Sequence, residues 1–216
     1  YDLDGSGSLE IIAAGMDSRL YVLDHMGQDW GPYPIEICAP ELCGLQGYRI
    51  ITSPAVGDVD GDEVGDIGFH GPAGNSVCVV YGGELGDEYN FADATTGANH
   101  DCVTDSTLNV AGATEIGTKI ESLGDVNGDG LADFGASGRI DGILGFVAVY
   151  LGASGGPDLS NPDVVITGAD PVVSKRYSHF CGAGNFTGEV NGATPIDSIA
   201  LGEPGANLTG GLSVVP

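Results

Sequence analysis

The chain has 216 residues, a length suited to one domain with a substantial core, and it carries 31 acidic against 6 basic residues for a formal net charge of −25. That balance excludes nucleic acid and anionic membrane surfaces as partners, because too few Lys and Arg are present to meet phosphates, and it makes cations the natural ligands. The 38 glycines follow no three-residue period, which excludes collagen, and a hydrophobic fraction of 42% belongs to a folded, turn-rich protein and not to a disordered acidic tail.

In chain order, an acidic segment from Asp2 to Glu10 (DLDGSGSLE) leads into apolar Ile11 and Ile12 and a strand at Leu20 to Leu23. Trp30, followed by Gly31, Pro32, Tyr33 and Pro34, reads as a sugar-stacking platform or as an aromatic wedged between layers. Cys38 and Cys43 would close a small loop around Pro40. A second acidic segment, Gly57 to Phe69 (GDVDGDEVGDIGF), precedes a strand at Val77 to Tyr81. Cys78 and Cys102 would staple a longer excursion, leaving Cys181 over; the alternative is buried free thiols in a reducing compartment. Leu108 to Gly112 reads as a further strand ahead of the third acidic segment, Gly124 to Gly135 (GDVNGDGLADFG). The longest apolar run, Gly142 to Leu151, is far shorter than the roughly 20 residues of a membrane-spanning helix and reads as a buried strand containing Phe146 to Tyr150. Val164 to Gly168 is another strand, and Lys175 to His179 (KRYSH) is a basic and aromatic stretch that reads as a mixed polar loop or as a contact for an anionic sugar. A fourth, damaged copy runs from Gly184 to Glu189 and from Ile196 to Pro204, with Val190 to Thr194 as extra residues inside it, and the chain ends on a strand at Leu212 to Val215.

The acidic segments share the pattern D-x-D-x-D-G-x-x-D. Side chains at positions 1, 3 and 5 converge on one point, position 7 offers its carbonyl, and position 9 closes the shell. Such all-oxygen donor sets suit calcium, which takes six to eight oxygens in tolerant geometry, and offer nothing of the nitrogen or sulfur that zinc and copper favour. The first loop assigns Asp2, Asp4, Ser6, the Ser8 carbonyl and Glu10; the second assigns Asp58, Asp60, Asp62, the Val64 carbonyl and Asp66; the third assigns Asp125, Asn127, Asp129, the Leu131 carbonyl and Asp133. Three calcium ions are therefore expected, with metal removal loosening the loops. Gly7 and Gly130 fill position 6, where the second loop has Glu63, so backbone strain is expected there. The competing account is an acidic hairpin turn, since Asp, Asn and Gly are common turn residues, but the same alternation three times favours metal. In the fourth copy Asn185, Thr187, Glu189 and Asp197 are the corresponding residues, with the closing carboxylate displaced by the insertion.

The runs at 57 to 66 and 124 to 133, the Val- and Tyr-rich strands, and the Phe180 to Pro204 unit resemble the FG-GAP or VCBS repeats of the integrin alpha-chain β-propeller and of many bacterial surface proteins. The resemblance covers nearly the whole chain and implies an all-β β-propeller of four visible units, approximately 1–50, 51–117, 118–178 and 179–216. Family propellers close a ring of about seven blades, so a fragment of a larger propeller is expected. The resemblance further implies an extracellular or cell-surface module that binds a protein or glycan ligand, with structural calcium. The alternative is an accessory or catalytic propeller of a polysaccharide-active lyase or hydrolase. No Ser-His-Asp or Cys-His arrangement, Walker loop or dinucleotide fingerprint is present, so no catalytic residue is assigned. His25, His70 and His100 read as solitary, partly exposed residues without a role. The sequons at Asn185 and Asn207 matter only in a host that glycosylates.

Overall fold

The computed structural model describes residues 1–3, 6–31, 33–36, 52–71, 75–82, 99–141, 144–167, 179–185, 188, 190–191, 194–203 and 211–215. Asp4, the Cys38 and Cys43 pair, Lys175 to Ser178, Thr187, Glu189 and Asn207 lie outside them. The fold is all-β, with no helix among the described residues. The first sheet contains β1 (Ile11–Ala14), β2 (Arg19–Leu23) and β3 (Ile35–Glu36). The second contains β4 (Ala55–Gly57), β5 (Asp66–His70), β6 (Ser76–Val80) and β7 (His100–Thr104). The third contains β8 (Ala113–Gly124), β9 (Asp133–Ile140), β10 (Leu144–Tyr150) and β11 (Val164–Thr167). Next come β12 (His179–Gly182), a two-stranded ribbon of β13 (Val190–Asn191) and β14 (Thr194–Pro195), and then β15 (Ile199–Glu203) and β16 (Gly211–Val215), which complete the fourth sheet with β12.

Each sheet is antiparallel; chain neighbours pair in the first three, β12 pairs with β15 across the β13–β14 ribbon in the fourth, and none closes on itself among the described residues. The sheets stack in sequence order, and side-chain alternation shows how. Val77 and Val79 face the third sheet, in a cluster with Ile116, Ile120, Phe146, Ala148 and Tyr150, whereas Cys78 and Val80 face the first sheet, with Leu20, Val22 and Phe69. On β10 the odd residues Val147 and Val149 turn instead to the fourth sheet, against Phe180, Ile199 and Leu201. Strands buried on both faces read as continuous apolar runs, which is why VCVV and FVAVY lack polar alternation. Close stacking also explains Gly135, where a Cβ would lie 2.5 Å from the Phe180 ring.

Two expectations need correction. Leu108 to Gly112 is not a strand: the Leu108 N–H donates to the Thr104 carbonyl (2.9 Å), and a hydroxyl cluster of Thr104, Ser106 and Thr107 holds the turn. Leu108 is apolar because that turn inserts it into the core. His70 and His100 are buried, at 3% and 5% exposure, and not partly exposed. The unit boundary drawn between residues 117 and 118 falls within β8.

Cys78 and Cys102 stand directly opposite each other on β6 and β7 and are joined as a disulfide, with Cα atoms 4.1 Å apart. Cys181 is free and exposed. Trp30 stacks on Tyr33 at 6.2 Å between ring centroids and packs against the core between the first and second sheets.

Candidate metal centre

In the second and third sheets the acidic loops join the first strand to the second, β4 to β5 and β8 to β9, and the first loop leads into β1. The position-1 carboxylates organise all three by accepting backbone N–H groups. Asp2 accepts from Ser6 (3.1 Å) and Gly7 (2.8 Å). Asp58 accepts from Gly61 (2.7 Å) and Glu63 (3.0 Å). Asp125 accepts from Gly128 (2.5 Å) and Gly130 (2.8 Å). Position 3 caps position 5, as Asp60 does for Asp62 (3.1 Å) and Asn127 for Asp129 (2.9 Å). Position 5 caps position 7: Ser6 for Ser8 (3.3 Å), Asp62 for Val64 (2.8 Å) and Asp129 for Leu131 (2.9 Å). Short polar side chains favour these local bonds, which wind the loop so that its oxygens turn inward.

Position 9 opens the following strand in the second and third loops and directly precedes it in the first, and it is buried in each copy: Glu10 at 5%, Asp66 at 1% and Asp133 at 0% exposure. One oxygen accepts the position-2 N–H, from Leu3 (2.7 Å), Val59 (2.7 Å) and Val126 (2.6 Å). The other, in the second and third loops, accepts an N–H from just beyond the next hairpin, Gly82 to Asp66 (2.9 Å) and Gly152 to Asp133 (2.8 Å). Burial pushes the Asp66 carboxyl up to about 7, against the pull of the Gly82 and Val59 N–H groups and with help from Asp60 and Asp62. Asp133 is raised to about 6, again chiefly by burial, opposed by Gly152 and Val126. Asp60 is raised as well, with burial the largest cause.

Asp58, Asp60 and Asp66 come together into a group that could hold a metal ion: one ligand oxygen from each lies within 4.8 Å of the others. Among the described residues, Asp62 stands outside this group, as do Asp2 and Glu10 of the first loop and Asp125, Asp129 and Asp133 of the third. None of the ion pairs among the described residues, Arg19 with Glu36, Lys119 with Glu121 and Arg139 with Glu115, reaches a loop carboxylate. A cation therefore fits what the site lacks: positive charge beside half-buried and buried carboxylates, with only oxygen donors offered.

The backbone supports the same geometry. Gly7 and Gly130 adopt φ of 83° and 96° at position 6, and Glu63 adopts 69° there. Position 4 is also left-handed, at Gly61 (84°) and Gly128 (77°). The sequence pattern did not assign that second glycine, the position-2 residue (buried as Leu3 and Val59, partly buried as Val126) or the donors Gly82 and Gly152. The Gly-Asp-x-Asn/Asp-Gly spacing carried a signal for the first, whereas the last two follow only from strand pairing.

Neighbouring loops are tied together. Ala132 donates to the Asp58 carbonyl (2.8 Å), Ala153 to Val59 (2.9 Å) and Gly155 to Asp60 (3.2 Å), so the third sheet grips the second loop. In the fourth unit the extra residues form the β13 and β14 ribbon, whose Asn191 donates to the Asn127 carbonyl (3.1 Å). Asp197 reaches the third loop, where its Oδ2 accepts the Asp125 N–H (3.1 Å). Ser198, the next residue, is fully buried with its hydroxyl unpaired among the described residues.

No known protein-family pattern and no characterised protein sequence matches the chain.

Proposed function

We propose that the chain is an extracellular calcium-binding module of the β-propeller type, built of FG-GAP or VCBS-like blades, in which calcium is structural and the blade surfaces bind a protein or glycan ligand. The observation that carries the proposal is the Asp58, Asp60 and Asp66 group, set in a loop whose hydrogen-bond pattern recurs in two other loops. The stack of sheets in sequence order, each packed through alternate side chains on the next, supports the propeller reading.

Calcium is the ion of choice because the donors are carboxylates, amides and carbonyls and it accepts them in tolerant geometry, whereas magnesium demands a stricter octahedron and keeps its waters. In the second loop Asp58, Asp60, Asp66 and the Val64 carbonyl would hold it, with Asp62 joining by giving up its bond to the Val64 N–H. In the third, Asp125, Asn127, Asp129, Asp133 and the Leu131 carbonyl are the corresponding set; in the first, Asp2, Asp4, Ser6, Glu10 and the Ser8 carbonyl. When bound, the ion supplies the positive charge that lets these carboxylates coexist, and stability rises by linkage. The Cys78–Cys102 disulfide is compatible with an oxidising, extracellular location, and no helix among the described residues is long and apolar enough to cross a membrane.

The test is elemental analysis of the purified chain together with melting curves in calcium and in chelator. Bound calcium and a higher melting temperature in calcium are expected; no calcium and superimposable curves would overturn the proposal.

A further inference from the structure

Away from the acidic loops, a cleft of about 420 Å³ runs along β8, bordered by Thr118, Lys119 and Glu121 of that strand, Arg139 of β9, His179 of β12, and Thr52 ahead of β4. Two of the six Lys and Arg residues of a chain with net charge −25 meet in it. A β-bulge interrupts β8 immediately before Lys119. Ile116 pairs with Gly138 and Lys119 with Ser137, so Gly117 and Thr118 are extra residues on β8, and Gly117 takes φ of 86° to accommodate them. The Lys119 ammonium is held in place by Glu121 (3.0 Å), by the Phe180 carbonyl and by the Phe180 ring, 5.2 Å from its centroid. Arg139 engages Glu115 through Nε (3.1 Å), and among the described residues its two terminal nitrogens have no further ion pair, which leaves their donors for a planar acceptor. The Thr52 hydroxyl is buried and has no hydrogen-bond partner among the described residues, an unmet donor and acceptor at the wall of the cleft.

We infer that this cleft binds a carboxylate carrying hydroxyl groups, the chemistry of an acidic sugar. The guanidinium of Arg139 takes the carboxylate in a forked contact, the fixed Lys119 ammonium supplies a second positive charge, and ring hydroxyls are met by Thr118, whose hydroxyl also bonds Ser137 Oγ (2.7 Å), and by Thr52 on turning its buried hydroxyl into the cleft. The volume lies in the range of small-ligand sites. The inference rests on the ligand-binding half of the proposed function and is independent of the metal half.

Galacturonate, its neutral methyl ester and acetate are titrated into the calcium-saturated chain and followed by calorimetry. Galacturonate is expected to bind at least about tenfold more tightly than either its ester or acetate, because only it offers both charge and hydroxyls. Arg139→Gln and Lys119→Met should each weaken it about tenfold, and Thr52→Val by less, with calcium-loaded melting temperatures preserved. Arg139→Lys, which keeps the charge and loses the fork, serves if the glutamine variant does not fold, and it too should bind more weakly. No binding at about 10 mM galacturonate, equal binding of the ester, or binding that survives both charge-removing variants overturns the inference. A calcium titration of the same samples reads the loops separately, so failure in the cleft and failure of the metal reading are told apart.

Discussion

Glu63 holds, at φ 69°, the left-handed backbone position that Gly130 holds at 96° in the neighbouring loop, and both donate their N–H to the position-1 carboxylate. A residue with a Cβ is strained in this region by roughly 1–2 kcal/mol, so the second loop gathers its carboxylates in spite of its backbone. Glu63→Gly relieves that strain and removes a negative charge, while adding flexibility to the unfolded chain. A net gain of up to about 1 kcal/mol is expected in urea melts of the metal-free protein. A loss of stability would show that the Glu63 side chain does more than occupy the turn.

The second loop also separates its own carboxylates. Asp60 belongs to the group within ligand distance, whereas Asp62 faces the Val64 N–H. Asp60→Asn should therefore weaken calcium binding at this loop by more than Asp62→Asn, with the difference on the order of tenfold or above in isothermal titration. Equal losses would mean that Asp62 swings fully into the shell when the ion binds.

Stability should depend on pH in opposite senses with and without metal. The Asp66 carboxyl stands at about 7 in the folded chain against 3.8 for a free one, and Asp133 at about 6. Folded values raised above unfolded ones mean that the folded state holds the extra protons. Their contribution is fully present below about pH 4 and is lost as pH rises through 6 and 7. In chelator the melting temperature should fall between pH 5 and 8, and Asp66→Asn should flatten part of that fall. In calcium the same carboxylates must be deprotonated to bind, so affinity and melting temperature should rise over the same interval. A melting temperature in chelator that climbs from pH 5 to 8 would contradict the burial of these groups.

What was legible in the sequence was local. The loop alternation could be read because its polar side chains and the N–H groups they cap lie within nine positions, as in Asp58 to Asp66. The strands at Val77 and Phe146 could be read because burial on both faces leaves unbroken apolar runs. The features missed depend on partners far along the chain. The insertion in the fourth copy was read as displacing Asp197 from its loop, but its acceptance of the Asp125 N–H across 72 positions could not be read. Gly82 and Gly152 donate to Asp66 and Asp133 only because a hairpin returns them there. Leu108 was read as strand because apolar residues inserted from a turn look the same in sequence as those on a pleat.

Tyr81 directly follows β6 and Tyr150 ends β10, and both hydroxyls are buried without a partner among the described residues. Burial is the main cause that raises both phenols well above their usual range. An unpaired buried hydroxyl is a net liability, so Tyr150→Phe should be neutral or stabilising by up to about 1 kcal/mol in denaturant melts, because the ring stacked on Phe134 is retained. A loss above about 1 kcal/mol would reveal a bound water or a further partner for that oxygen.

The disulfide joins strands that already pair, so its contribution comes mainly from the unfolded chain. Cys78 and Cys102 are 24 positions apart, and closing a loop of that length removes denatured-state entropy worth about 3 kcal/mol. Replacing both by Ala also exchanges the buried Cys78 sulfur for a smaller group in the core between the first and second sheets. The double variant should therefore lose about 3–4 kcal/mol, with calcium binding at Asp58, Asp60 and Asp66 retained when the protein is folded, since the loop joins β4 to β5 and not β6 to β7. Urea melts of the oxidised, reduced and double-variant chains in calcium measure the first part, and titration of the folded variant measures the second. A reduced chain as stable as the oxidised one would place the clamp on strands that hold without it.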